Sequence, residues 1–327
     1  RMAGRRTNLA LLVLLALALA TGIGAYAIGT AWVRWILVAH GVVAIAIIAL
    51  GPWKSVIARR GLRRHRPGRA ASVVFSVTIV VALLTGFSHS TGVLRSLGPV
   101  TAMQVHVGAA IVAIPLALWH IVARRVRFHH TDLARRQMLR AGALLGGAGV
   151  SYALLELAPL PGRDRRVTGS HEEGSFDQDL MPVTQWFDDS VPQLDLTEWR
   201  LRVGDRSFGY DELAAYSDEV EAVIDCTGGW WARQRWEGVR LARLLPSLDS
   251  RSIAVVSVTG YGRLFPARDI DDLLVATRIG GERLTAGHGF PARLVAPGRR
   301  GFWWVKWIDE IRAEDRPWWL QSPFPLT

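Results

Sequence analysis

Over the first 158 residues the apolar side chains run on with little of the polar alternation that a water-facing helix or strand carries. Five stretches stand out, at 8–29, 32–57, 70–88, 101–123 and 141–158, each near the ~20 residues a helix needs to cross hydrocarbon. The first four are strongly apolar. The fifth is Gly-rich and only moderately so, which fits a span but also a cleaved or loosely packed segment. From 159 onward Pro-Gly and Gly-Ser pairs punctuate the chain and acidic residues appear throughout, the pattern of a water-soluble domain. Alternating segments at 199–203, 222–225, 253–258, 293–295 and 303–311 predict strands, and short helical patterns fall near 210–216 and 239–245. The expected architecture is an all-α membrane bundle of five spans over 1–158, followed by an α+β domain over 159–327. There is no solenoid repeat. His40-Gly41 and His106-x-Gly108 hint at a weak duplication of spans one-two in spans three-four.

Charge refines this division. The chain has 39 Lys and Arg against 28 Asp and Glu, a net of +11. Residues 1–140 hold 18 of the basic residues against Asp132 alone, a net of +17, so the remainder carries 11 − 17 = −6. The basic residues sit in short blocks between apolar runs, which excludes a nucleic-acid face. Arg59, Arg60, Arg63, Arg64, Arg66 and Arg69 lie between spans two and three. Arg124, Arg125, Arg127, Arg135, Arg136 and Arg140 lie between spans four and five, while the opposite loops hold little beyond Arg34 and Arg95. Short cytoplasmic loops retain Lys and Arg, so the N-terminus is expected inside a multi-pass cell membrane, with the C-terminal domain extracytoplasmic. The run Ala134-Arg135-Arg136-Gln137-Met138-Leu139-Arg140 resembles a twin-arginine export signal placed internally, although Ala134 and Met138 depart from its pattern. Ordinary inside-loop charge explains the same arginines equally well.

An ionisable side chain inside a membrane is costly enough to suggest function. His40 on span two and His106 on span four lie at similar depths, and two facing imidazoles suit the axial positions of a b-type haem, with Gly41 and Gly108 leaving room. His120 lies fourteen residues after His106, on nearly the same face, but the position facing it on span two is Lys54, so a second haem is not supported. His89, at the outer end of span three, either replaces an outer ligand or faces water. Histidines that only hydrogen-bond between helices are the alternative throughout.

With one cysteine, the chain has no internal disulfide. Cys226 stands in Asp225-Cys226-Thr227-Gly228-Gly229-Trp230 at a strand end, where glycines let a bulky ligand approach a soft thiolate. A buried cysteine acting as a small hydrophobe would read the same way. Downstream comes Gly287-His288-Gly289-Phe290-Pro291-x-Arg293-Leu294-Val295, then Pro297-Gly298-x-x-Gly301 and Val305-Lys306-Trp307.

The two segments together, in this order, resemble the sulfite oxidase superfamily of molybdenum-pterin enzymes, which includes a periplasmic methionine sulfoxide reductase catalytic subunit. The likeness covers roughly 165–327. It implies molybdenum-molybdopterin as cofactor and Cys226 as the protein's ligand to molybdenum, with Gly228 beside it. It further implies that His288, Arg293 and Lys306 contact pterin and phosphate, with Thr168, Ser170, Thr184 and Gln185 on pterin-contacting loops. Arg299 and Arg300 are weaker candidates for the phosphate or for solvent, and Tyr261 reads as a packed turn aromatic. True sulfite oxidases carry an Arg-Asn-His run where this chain has Thr184 and Gln185, which argues against sulfite and toward a neutral oxo-acceptor. The resemblance thus predicts two-electron oxo-transfer on a small-molecule oxo-donor or oxo-acceptor. The expected partners are membrane lipid, quinone or another redox partner, and the twin-arginine export machinery. A membrane-anchored binding or sensory module on an emptied fold is the competing expectation, and a transporter is disfavoured for want of a broken-helix pair.

Overall fold

A computed structural model describes residues 2–63, 68–98, 100–123, 129, 132, 134–185, 190–245 and 250–322. Arg64, Arg66, Arg124, Arg125 and Arg127, which entered the sequence argument, lie outside the described residues. The chain forms two compact units, Arg1–Tyr26 with Ala31–His171, and Ala27–Thr30 with Glu172–Thr327.

The first unit contains α1 (Met2–Ala27), α2 (Val33–Leu62), α3 (Arg69–Thr91), a minimal antiparallel pair β1 (Ser96–Leu97) and β2 (Val100–Thr101), α4 (Ala102–Ala123) and α5 (Arg135–Leu157). All five helices are long and apolar enough to cross a membrane. Val13, Leu17, Val77, Leu84, Leu118 and Leu154 are exposed on them. The segment at 141–158 is a packed helix, since Ala148 is buried with Leu14, Val43, Ala46 and Ile47. Its helix begins at Arg135, so Arg135, Arg136 and Arg140 of the twin-arginine-like run form its first turns. Beyond it, the Gly162 N–H donates to the Thr91 carbonyl at 2.8 Å, and Arg165 pairs with Glu156. His89 Nε2 meets the Gly169 carbonyl at 3.0 Å, and His171 Nε2 meets the His89 carbonyl at 2.7 Å. These bonds hold 158–171 on the helical unit, which is why its boundary falls after His171 and not after 158.

In the second unit the strands and helices are β3 (His171–Glu172), where the chain enters it, β4 (Leu201–Val203), β5 (Arg206–Phe208), α6 (Tyr210–Ala214), β6 (Asp218–Asp225), β7 (Trp230–Arg240) and α7 (Leu241–Leu244). They continue with β8 (Ser252–Ser257), β9 (Gly262–Pro266), β10 (Leu274–Ile279), β11 (Glu282–Arg283), β12 (Arg293–Val295) and β13 (Ile308–Glu314). One sheet runs β11-β10-β7-β3, with β12 on β10 and β6 on β7; the other runs β5-β4-β13-β8-β9. β7 organises the first sheet. Trp230, Ala232, Gln234 and Trp236 face inward while Arg233, Arg235 and Glu237 face out, the period of two that a half-buried strand requires. Outward, Arg233 pairs with Glu221 and Arg235 with Glu219 across the β6–β7 ladder.

Three local expectations need correction. The segment 303–311 is not one strand: a 3-10 turn covers Gly301–Trp303 and pairing starts only at Ile308, because Trp307 has φ 51° and breaks the extended run. The helix expected over 239–245 shrinks to Leu241–Leu244, since Val239 and Arg240 belong to β7. That over 210–216 ends at Ala214.

Candidate functional site

Cys226 occupies the four-residue connection between the antiparallel strands β6 and β7. The Cys226 N–H donates to the Trp230 carbonyl at 2.8 Å, and the Gly229 N–H donates to the Cys226 carbonyl at 3.1 Å. Gly229, at φ 93°, supplies a left-handed conformation that a side chain would resist. Behind the loop, Asp225 bridges to Arg300, and a Cβ on Gly301 would stand 3.0 Å from the Cys226 Cα. The Arg300 guanidinium meets Asp225 Oδ1 at 2.5 Å, with side chains only 5% and 7% exposed, and reaches the Cys226 carbonyl at 3.5 Å. Arg300 therefore braces the cysteine loop and is buried away from solvent. Arg299 is likewise engaged, with Asp269 at 2.5 Å and with the ring of Trp303 at 5.0 Å.

The Cys226 residue keeps partial exposure, while its thiol is lined by protein. Burial pushes the thiol pKa up, opposed by the Gly228 N–H, Arg300, the Thr184 hydroxyl and Lys306. The Gly228 N–H lies 3.3 Å from Sγ. Thr184 accepts from the Trp230 indole at 3.0 Å, and its carbonyl accepts from Lys306 Nζ at 2.9 Å; the Gly287 carbonyl accepts from the same ammonium at 2.7 Å. Gln185 follows, half-buried.

Arg293 starts β12 and is 1% exposed. Its guanidinium donates to the His288 carbonyl at 2.9 Å and the Trp304 carbonyl at 3.4 Å. It lies 4.9 Å over Trp236 and 5.7 Å over Trp304. Desolvation lowers its pKa to about 9, with Cys226 pulling the other way. Its Nε has no partner among the described residues, an arrangement that costs stability unless an acceptor arrives. His288 is less available. Nε2 meets the Met181 carbonyl at 3.0 Å, which can only accept, so Nδ1 accepts from the Thr285 hydroxyl at 2.7 Å. Burial, then Arg293, lowers its pKa to about 4, and the ring is a neutral brace.

The second unit thus brings Cys226, Gly228, Thr184, Lys306, Arg293 and His288 onto neighbouring loops. Thr168 and Ser170 are buried in the helical unit, where the Arg166 N–H donates to the Ser170 carbonyl at 2.9 Å. Tyr261 donates its hydroxyl to the Phe302 carbonyl, as a packed turn aromatic does. Sequence reasoning passed over Trp230 as a hydrogen-bond donor beside the thiol, and it did not foresee the Asp225–Arg300 pair.

Within the helical unit, the His40 and His106 rings lie 5.9 Å apart with planes at 89°. His40 Nδ1 lies 3.1 Å from the Ala18 carbonyl and 3.0 Å from Thr21 Oγ1. His106 Nδ1 lies 2.7 Å from the Ala82 carbonyl. A carbonyl only accepts, so each Nδ1 carries the proton and each Nε2 keeps a lone pair. Gly41 does not make room for a macrocycle: a Cβ there would stand 2.3 Å from the Tyr152 ring, so the glycine admits that tyrosine. The glycine that admits His106 is Gly86, where a Cβ would meet its ring at 2.8 Å. Gly108 is open. His89 is buried and held by the Gly169 carbonyl, so it does not face water. His120 packs on Phe75 at 5.4 Å, and Lys54 donates to Asn8 at 3.0 Å.

Residues 188–320 match the family described as oxidoreductase molybdopterin binding domain. The chain is 30% identical to mitochondrial sulfite oxidase of Mus musculus, over 38% of this chain and 30% of that protein. It is 48% identical to the NADPH nitrate reductase of Phytophthora infestans over 14% of this chain and 5% of that protein. Among solved structures it is similar to the sulfane dehydrogenase SoxCD of Paracoccus pantotrophus, with a TM-score of 0.36 and 25% identity over 38% of this chain and 40% of that one. The chain spans under a third of the length of the sulfite oxidases it matches.

Proposed function

We propose that this chain, whose residues 188–320 are a molybdopterin-binding oxidoreductase domain of the sulfite oxidase superfamily, is a membrane-anchored oxidoreductase with Cys226 as the protein ligand to molybdenum. The observation that carries this is the Cys226 loop: a partly exposed residue whose protein-lined thiol accepts from the Gly228 N–H, close to a buried arginine whose charge no described carboxylate neutralises. A soft, strongly donating sulfur suits a high-valent soft metal. The residues fit the cofactor. Arg293 offers a planar guanidinium with an orphan N–H for a phosphate, and Lys306 places a point charge near the thiol. His288 braces the segment that delivers both, and Gln185 and the half-exposed rim of the site remain for the pterin. Thr168 and Ser170 are assigned to the pterin on the sequence resemblance alone.

When bound, molybdenum-molybdopterin supplies two-electron oxo-transfer. Cys226 anchors it, Arg293 and Lys306 balance its negative charge, and the absence of an Arg-Asn-His run at Thr184 and Gln185 favours a neutral small-molecule oxo-donor or oxo-acceptor over sulfite. On this reading the five apolar helices cross the cell membrane with the N-terminus inside, lipid around them and the catalytic domain extracytoplasmic. The arginine blocks support that orientation. Export of a loaded domain would use the twin-arginine machinery through Arg135 and Arg136. His40 and His106 supply a b-type haem site, each with its Nδ1–H fixed by a backbone carbonyl as axial histidines usually are, and electrons pass through it to or from membrane quinone. Purified protein should contain stoichiometric molybdenum and a reduced-minus-oxidised haem spectrum. Cys226→Ala should abolish turnover with membrane insertion intact, and His40→Ala or His106→Ala should remove the spectrum. Protein without molybdenum refutes the enzyme reading, and protein without haem bands refutes the electron route.

A further inference from the structure

The helical unit buries polar side chains in one place, a cap at the C-terminal end of α3. His89, Thr91, Thr168, Ser170 and His171 are each no more than 6% exposed, and no other polar side chain is buried among the described residues of that unit. Such groups destabilise an apolar bundle unless they are bonded. Thr91 donates to the Phe87 carbonyl at 2.8 Å. His171 Nε2 donates to the His89 carbonyl at 2.7 Å, and its ring packs edge-on against the His89 ring at 4.8 Å, fixing that ring in place. His89 Nε2 meets the Gly169 carbonyl at 3.0 Å. A carbonyl only accepts, so Nε2 carries the proton and Nδ1 keeps a lone pair. That Nδ1 is buried and has no partner among the described residues. It takes no part in fastening the cap. A Cβ on Gly162 would stand 2.3 Å from the Ser90 carbonyl oxygen, and one on Gly92 would stand 2.6 Å from the Gly162 nitrogen, so backbone contact already holds the segment against α3. Any N–H donor would serve the Gly169 carbonyl; a spare acceptor is what histidine adds.

We propose that His89 Nδ1 accepts a hydrogen bond from the ring hydroxyl of a membrane quinol, so that the reduced ring is the form this cap binds. The proposal rests on the reading of the helices as membrane spans that exchange electrons with quinone. A buried acceptor without a partner demands a donor, and a quinol presents O–H groups where a quinone presents only carbonyls. Position along α3 agrees on two counts. His89 lies two residues short of the end of α3, about 3 Å along the axis, near the interface where a ring with polar edges settles in a bilayer. One turn earlier on the same helix, a Cβ on Gly86 would stand 2.8 Å from the His106 ring. The acceptor is therefore one helical turn from the position that seats an imidazole of the proposed haem pair.

The test is equilibrium binding of a redox-inert probe, an alkyl-chain 1-naphthol, to the full-length protein in detergent, set against the methyl ether of the same probe, which has the same rings and no O–H. Wild type should bind the naphthol about tenfold more tightly, the effect of satisfying one buried acceptor. His89→Gln keeps an N–H for the Gly169 carbonyl and places no acceptor at Nδ1, so it should bind the two compounds alike. His89→Asn puts an oxygen near Nδ1 and gives up the bond to Gly169, so it should keep the preference. A merely structural histidine predicts the opposite order, with Gln close to wild type and Asn impaired. That order overturns the proposal, and so do equal affinities in wild type. A reduced-minus-oxidised spectrum of the same samples separates the two readings. Haem bands without a hydroxyl preference overturn this site alone. A hydroxyl preference without haem bands supports the site and refutes the electron route through His40 and His106.

Discussion

The sharpest structural commitment behind Cys226 is the Asp225–Arg300 pair, and breaking it from each side should give unequal costs. The charged atoms meet at 2.5 Å with side chains only 5% and 7% exposed. In Asp225→Asn the arginine keeps its charge, since guanidinium does not deprotonate in proteins, and it stays buried without a counter-charge. Loss of one partner from such a pair costs about 3–5 kcal/mol. In Arg300→Met the stranded carboxylate can take up a proton instead, so the loss should be smaller, about 1–3 kcal/mol. The double variant should recover most of the loss, because two neutral side chains need no counter-charge. For a unit of this size each kcal/mol is worth roughly 2–4 °C, so Asp225→Asn should lower the unfolding midpoint of the C-terminal unit by about 6–20 °C. Tryptophan fluorescence reads that unit, where Trp230, Trp236, Trp303 and Trp304 are buried. If Asp225→Asn costs under about 1 kcal/mol, or if Arg300→Met proves the worse of the two, the pair does not brace the cysteine loop as argued.

Three further outcomes follow from the same geometry. Gly238→Ala should destabilise the β7–β10 ladder by about 1–3 kcal/mol or more, since its Cβ would fall 2.0 Å from the Val275 carbonyl oxygen; an unchanged melting temperature would contradict that packing. His288, held to about 4 by burial and by Arg293, is neutral when folded, so its contribution is complete above its ordinary value of 6.5 and is lost as pH falls toward 4. Stability should drop by about 3 kcal/mol across that window, and denaturation of His288→Gln should show a flatter slope. Arg293→Lys exchanges a planar group stacked on Trp236 and Trp304 for a point charge; co-purified pterin, read by fluorescence after release, should fall about tenfold, and full retention would remove Arg293 from the cofactor's contacts.

The long apolar helices were legible because length and apolarity are local properties of the chain. Their ends were less so: α5 reaches back over Arg135, Arg136 and Arg140, charged residues that a hydropathy pattern ends on but that continue a helix readily. In the second unit, β7 escaped notice because its outer face is Arg233, Arg235 and Glu237 and its inner face includes Gln234, whose amide is satisfied by the Gly174 carbonyl at 2.6 Å. The motif around Cys226 was legible from its glycines. Its supports were not, because Arg300 lies 75 residues from Asp225 and Thr184 lies 46 residues from Trp230. Pairing at that distance is decided by the sheet and leaves no local pattern. For the same reason Gly41 was assigned to haem clearance when its neighbour is Tyr152 on another helix.

Molybdenum K-edge X-ray absorption on the purified protein counts the sulfurs bound to the metal. The account predicts that Cys226→Ser keeps the pterin dithiolene pair and loses one sulfur from the shell found in the unsubstituted chain. An identical sulfur count in the two proteins would mean that Cys226 is not a ligand.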